Sequence, residues 1–191
     1  ALGAQGNARS EYPSFSPDGR YVAFQSFANT LVNGDTNGSD IFVHDRQSGT
    51  IERVSLTSLG EQANDSSYRA SISADGRYVA FHSWADNFVS GDTNTVYDVF
   101  VHDRQSGTTE CVSVDLLGVP GNYYSTGPAI SADGRYVAFT SGASNLISGD
   151  TNGAFDVFVR DRLNGTTERV SLDSLGAQGN GDSYSDSISA D

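Results

Sequence analysis

Ser73-Ala74-Asp75-Gly76-Arg77-Tyr78-Val79-Ala80-Phe81 decides the fold, because the chain writes this run three times. It stands earlier as Ser16-Pro17-Asp18-Gly19-Arg20-Tyr21-Val22-Ala23-Phe24 and later as Ser131-Ala132-Asp133-Gly134-Arg135-Tyr136-Val137-Ala138-Phe139. A fourth copy opens at Ser189-Ala190-Asp191. The shared Asp moves from position 18 to 75, 133 and 191, a nearly constant period. A fixed period of this size signals stacked supersecondary units. Any site written into the repeat then occurs several times, which weighs against a single active centre.

Around that run each unit reads as four short strands. The first covers 12–16, with counterparts at 70–73 and 129–131. The Asp-Gly pair follows as a tight hairpin turn, since glycine accepts the positive φ that such turns require. The second strand, 20–26, is apolar on both faces through Tyr21, Val22, Ala23 and Phe24, as expected of a strand held between neighbouring sheets. A long loop over 27–39 leads to a third strand at 40–45, a Gln47-Ser48-Gly49 turn and an outer fourth strand at 50–56. No helical period appears. The units divide as blade 1 at 11–57, blade 2 at 68–115 and blade 3 at 126–173, with linkers at 1–10, 58–67 and 116–125. The stretch 174–191 holds a further linker and the first strand of a fourth repeat. Leu2 to Asn7 repeats Leu175 to Asn180, so the chain reads as a window cut from a longer array or as a processed product.

Four antiparallel strands per unit, repeated, describe an all-β array of β-propeller blades. The S-[PA]-D-G-R-Y-V-A-F run, the D-[IV]-F-V-x-D-R strand and the G-T-x-E strand resemble the TolB-type, WD-repeat-like propeller family over the whole chain. The resemblance implies blades set around a central channel. It departs in size, since a typical blade has about 40–45 residues and these carry extra length in the loop between strands two and three and in the linker. Three blades do not close a ring.

The formal net charge is −13, from 24 acidic residues against 11 Arg and no Lys. Such a surface repels nucleic acid and anionic membranes and suits cations. No run reaches the roughly 18 apolar residues of a membrane span. The single cysteine, Cys111, excludes an internal disulfide framework. Its counterparts are Arg53 and Arg169, which suggests an exposed, drifted position.

The inserted loop carries the candidate chemistry. Its oxygen-bearing residues are Asp35, Asn37 and Asp40 in the first unit, Asp92, Asn94 and Asp98 in the second, and Asp150, Asn152 and Asp156 in the third. A short loop with oxygen at i, i+2 and i+5 or i+6 can wrap a hard cation, as the D-x-[DN] opening of EF-hand loops does, and Ca2+ is the expected ion. The plainer reading is a set of Asx-turns. The first loop is one residue short, and Thr95 replaces the glycines Gly38 and Gly153, so the three sites are expected to differ.

Other residues point to structure. His44 and His102 are matched by Arg160, and His82 by Gln25 and Thr140, so none has a repeated role. The Asp-Arg pairs at 45–46, 103–104 and 161–162 and the Asp-Gly-Arg turns suit a blade-to-blade polar network. Trp84 stands where Phe27 and Gly142 stand and is expected to pack beside the loop. No hydrolase elbow, zinc-protease helix, Walker loop or cysteine cluster is present.

The expected function is therefore non-enzymatic: a calcium-stabilised β-propeller module outside the cytoplasm (extracellular, cell-surface or periplasmic). It would bind a protein partner or self-associate through its repeat ends, in the limit as a filament. The alternative is the accessory propeller of a larger secreted or periplasmic hydrolase or peptidase. A glycan-binding propeller is weaker: the sialidase-type S-x-D-x-G-x-x-W box has no match, since Asp and Gly are adjacent here and the Trp is missing.

Overall fold

The computed structural model describes residues 5–36, 38–184 and 187–189. Three four-stranded antiparallel sheets follow one another along the chain, with no helix among the described residues. Blade 1 comprises β1 (Ser10–Phe15), β2 (Tyr21–Ser26), β3 (Asp40–Asp45) and β4 (Thr50–Arg53). Blade 2 comprises β5 (Ser67–Ile72), β6 (Tyr78–Ser83), β7 (Asp98–Asp103) and β8 (Thr108–Cys111). Blade 3 comprises β9 (Ser125–Ile130), β10 (Tyr136–Ser141), β11 (Asp156–Asp161) and β12 (Thr166–Arg169). Strand order within each sheet follows chain order, as in a propeller blade.

Each first strand starts earlier than the sequence suggests, at Ser10, Ser67 and Ser125. The reason is a serine pair that clips it to the end of the second strand: the Oγ atoms of Ser10 and Ser26, Ser67 and Ser83, and Ser125 and Ser141 lie 2.9, 3.1 and 2.9 Å apart. A bulge interrupts each pairing and places Tyr12, Arg69 and Gly127 in the left-handed region, with φ of 52°, 51° and 62°. Each fourth strand is shorter than expected. Past Arg53 only one backbone bond to the sheet (Val54 to Ile41) and an isolated Leu56–Gln62 bridge remain, because the chain turns there into the linker. The fourth-repeat strand expected at the end of the chain falls on 186–189, of which 187–189 are described and form no strand.

The Asp-Gly turn forms as read. Gly19, Gly76 and Gly134 have φ of 69°, 73° and 75°, and the preceding Asp binds both a serine Oγ and the Arg backbone N–H, as in Ser73–Asp75–Arg77. The two apolar cores lie between blades. In the first, Ile41, Val43 and Val54 of blade 1 meet Ile72, Val79 and Phe81 of blade 2. In the second, Val99, Val101 and Val112 of blade 2 meet Ile130, Val137 and Phe139 of blade 3.

A polar clamp repeats at each blade junction. Tyr21 of blade 1 lies under Arg104 and against Gly76 of blade 2, and Arg104 pairs with Glu52 of blade 1. Tyr78 lies under Arg162 and against Gly134, and Arg162 donates to Glu110 at 2.8 Å. Arg104 and Arg162 also donate to the carbonyls of Gly76 and Gly134. The expected blade-to-blade network is thus half right. These arginines cross the junction, whereas the turn arginines Arg20, Arg77 and Arg135 form ion pairs inside their own blades with Asp45, Asp103 and Asp161, at 2.9, 2.7 and 2.6 Å.

Those within-blade arginines hold the carboxyls of Asp45, Asp103 and Asp161 far below the usual carboxylate range. A depressed acid stabilises the fold fully above its unfolded pKa of about 4 and loses that contribution as pH falls toward the folded value. The expected outcome is a steep loss of stability below about pH 4 that is shallower in Arg77→Gln, with the two proteins converging at the acid end. Urea melts across the acid range check it, and parallel profiles would refute it.

Candidate functional site

The loop between the second and third strand brings its two aspartates together, but in two of three blades they enclose a cation that the chain itself supplies. In blade 3 the Arg169 guanidinium lies 3.2 Å from Asp150 Oδ1 and 3.2 Å from Asp156 Oδ2. Its Nη1 also donates to Gln178 at 2.8 Å. In blade 1 the Arg53 guanidinium lies 3.5 Å from Asp35 and 3.6 Å from Asp40, and Gln62 Nε2 donates to the same two carboxylates at 3.1 and 2.9 Å. Both arginines are almost fully buried. An arginine from the end of the fourth strand and a glutamine nine residues later thus lie against the loop aspartates or each other in these two blades.

The closing aspartate is also held by protein. Ser55, Ser113 and Ser171 donate to Asp40, Asp98 and Asp156 at 2.5, 2.6 and 2.6 Å. The loop is therefore pinned to its blade by serine in every repeat. The asparagines behave as turn residues. Asn94 Oδ1 accepts from Val96 N–H and Asn152 Oδ1 from Ala154 N–H, while their Nδ2 groups donate to Asp98 and Asp156 at 2.7 and 3.1 Å. These are the Asx-turns of the plainer reading. Asn37 lies outside the described residues.

Blade 2 departs. Cys111 replaces the arginine and Pro120 the glutamine. The expectation of an exposed position is corrected: Cys111 is half-buried, and the side chains of its arginine counterparts are only 10% and 8% exposed, because they turn onto the loop carboxylates. Asp92 and Asp98 form no ion pair among the described residues. Asp92 is only 9% exposed, and its Oδ1 has no hydrogen-bond partner among them. Burial first, and the Asp98 charge second, push the Asp92 carboxyl up to about 7. Burial also pushes Asp98 up to about 6, against hydrogen bonds from Ser113 and Asn94, and it raises the Cys111 thiol strongly. A cavity of about 470 Å³ opens beside Cys111 and Pro120, bounded by Ser90 and Gly91 just ahead of Asp92. Among the described residues no three His, Cys, Asp or Glu side chains converge as a ready metal cage.

Sequence reasoning missed Arg53, Arg169, Gln62 and Gln178. The signal was present: Arg and Gln stand nine residues apart in two repeats and change together to Cys and Pro in the third. Trp84 packs beside the loop as read, 4.2 Å between ring centroids from Tyr97, which precedes Asp98. His82 is buried, which lowers its pKa to about 3. His102 shares a 2.8 Å bond with Thr109 Oγ1, and burial lowers its pKa also.

No family model and no curated protein matches the sequence. Solved structures do. A TolB-like protein from Agrobacterium tumefaciens matches with a TM-score of 0.55 and 19% identity, over 86% of this chain and 50% of that one. TolB from Acinetobacter baumannii matches at 0.52 and 21%, over 91% and 34%. A tricorn protease matches at 0.53 and 12%, over 100% and 17%. The chain thus spans half or less of these structures. At such identities the likeness concerns architecture: this is an all-β, β-propeller-type array of four-stranded blades.

Proposed function

We propose that the chain is a non-enzymatic scaffold module that works by stacking, each end face taking another blade of the same repeat. One observation carries this reading: the two end faces expose opposite halves of the contact that joins the blades inside. Phe15 is 56% exposed, whereas its counterparts Ile72 and Ile130 are each 6%. At the other end Val170 is 47% exposed, whereas Val54 and Val112 are each 1%. Val22 and Phe24 on blade 1, and Val157 and Val159 on blade 3, are half-buried where their counterparts inside are fully covered. The clamp is split in the same way. Blade 3 offers Tyr136 and an exposed Glu168, and blade 1 offers Gly19 with Arg46. Covering each large apolar side chain is worth about 1.5–3 kcal/mol, so the open faces favour a partner of this shape. Ser187 and Ile188 already share a groove with Gly127–Ile130, the edge by which a following blade enters.

Such a contact is heterologous, so it closes into a ring or continues as a fibre. The test is sedimentation of the 191-residue chain over a wide concentration range. The expected result is a mass that grows with concentration. Phe15→Glu and Val170→Glu should each stop growth, and a mixture of the two should stop at a pair, because each retains the half the other lacks. A monomer throughout, or growth indifferent to both substitutions, would refute stacking. Electron microscopy separates ring from fibre. The location that accompanies this role is outside the cytoplasm, as expected from the acidic loops.

A further inference from the structure

We propose that the loop of blade 2 is a divalent-cation site for Ca2+, with Asp92 and Asp98 as its charged ligands, created by the replacement of an internal arginine by Cys111. This goes beyond stacking and does not depend on it. The repeats supply the comparison. Each loop carries two aspartates, and in blades 1 and 3 a guanidinium lies against both from inside. In blade 2 Asp92 and Asp98 are 9% and 0% exposed, and that charge is gone. A buried carboxylate without a counter-charge is costly, and it either takes a proton or recruits a cation.

Neighbouring side chains do not make up the loss. Asn94 donates to Asp98, but Asn152 makes the same bond in blade 3 beside Arg169, so this bond does not stand in for the arginine. Ser113 likewise repeats Ser55 and Ser171. Cys111 brings no guanidinium in its place. What remains unmatched is Asp92 Oδ1, buried and without a partner among the described residues. A cavity beside Cys111 and Pro120 reaches the loop at Val89, Ser90 and Gly91, just ahead of Asp92, with Glu110 and Arg160 on its wall. Two carboxylates, with backbone oxygens and water to complete the shell, make a hard-oxygen set that suits Ca2+.

The loops of blades 1 and 3 are outside this assignment, because their arginines occupy the position. The calcium expectation therefore narrows from three sites to one.

Calcium titration of the EDTA-treated chain by calorimetry, with thermal melts alongside, tests the site. The expected result is one ion per chain, with an affinity in the weak range of roughly 10⁻⁵–10⁻³ M, and a melting temperature several degrees higher with calcium. Asp92→Asn should weaken binding at least tenfold. Cys111→Arg with Pro120→Gln, which installs the internal cation of the other blades, should abolish the calcium response and raise the calcium-free melt. That second variant keeps the test decisive if Asp92→Asn folds poorly. Three ions per chain, no heat at millimolar calcium, or binding that survives the arginine substitution would overturn the proposal. So would a zinc site lost in Cys111→Ser and stronger than calcium, which would place the metal on sulfur.

Discussion

Arg169→Ala is expected to lower the unfolding free energy by about 3–5 kcal/mol in calcium-free buffer, the usual cost of removing one partner from a buried charge cluster. The side chain is 8% exposed and sits between Asp150 and Asp156, whose side chains are 4% and 0% exposed. Without it two carboxylates remain with little exposure, and Ser171 and Asn152 donate to Asp156 alone. Burial already raises the Asp150 carboxyl even with the arginine present. The loss should therefore be partly recovered by a second substitution, Asp150→Asn, which removes one of the stranded charges. Urea melts of the single and double variants form the cycle. A loss below about 1 kcal/mol, the range of surface ion pairs, would show that the cluster is solvated and that the arginine is not an internal cation.

Gly134→Ala should cost about 2–5 kcal/mol, from two separable causes. Its φ of +75° penalises any side chain, and the added Cβ would lie 2.2 Å from Cδ2 of Tyr78. The ring cannot swing away freely, since Arg77 and Arg162 cover it at 4.7 and 4.4 Å from its centroid. Gly107→Ala is the control: its φ is +73° but nothing lies within 4 Å of its Cβ. That variant should lose only the backbone contribution, about 1–2 kcal/mol. The difference between the two measures the blade junction and should disappear when Tyr78 is also replaced by alanine. Equal losses at the two glycines would mean that the junction is loose and that the tyrosine clamp does not set blade spacing.

Both variants bear on what could be read without coordinates. The four strands, the Asp-Gly turn and the third strand at 40–45 were legible because each rests on local chemistry: a positive φ, a β-branched run, a period of two. The loop aspartates were read as ligands of an ion; in blades 1 and 3 each pair faces one arginine. Their partner was not found. Arg53 lies 13 residues beyond Asp40 and Arg169 the same distance beyond Asp156, and on a strand written T-x-E-R the arginine looks like a solvated outer residue. The sheet registers settle where it goes. Phe42 pairs with Arg53 and Phe158 with Arg169, which places each arginine beside the start of the third strand, where the closing aspartate stands.

The sequence by itself determined the repeat, the blade architecture and the position of every acidic loop, because periodicity and turn chemistry are properties of neighbouring residues. Only the tertiary structure decided which charges meet. Across strands a few ångströms of register choose whether two carboxylates face water, a metal ion or a guanidinium, and a single repeat does not reveal that choice. It is why three loops that look alike in sequence separate into two closed by arginine and one, at Asp92 and Asp98, that lacks its internal cation.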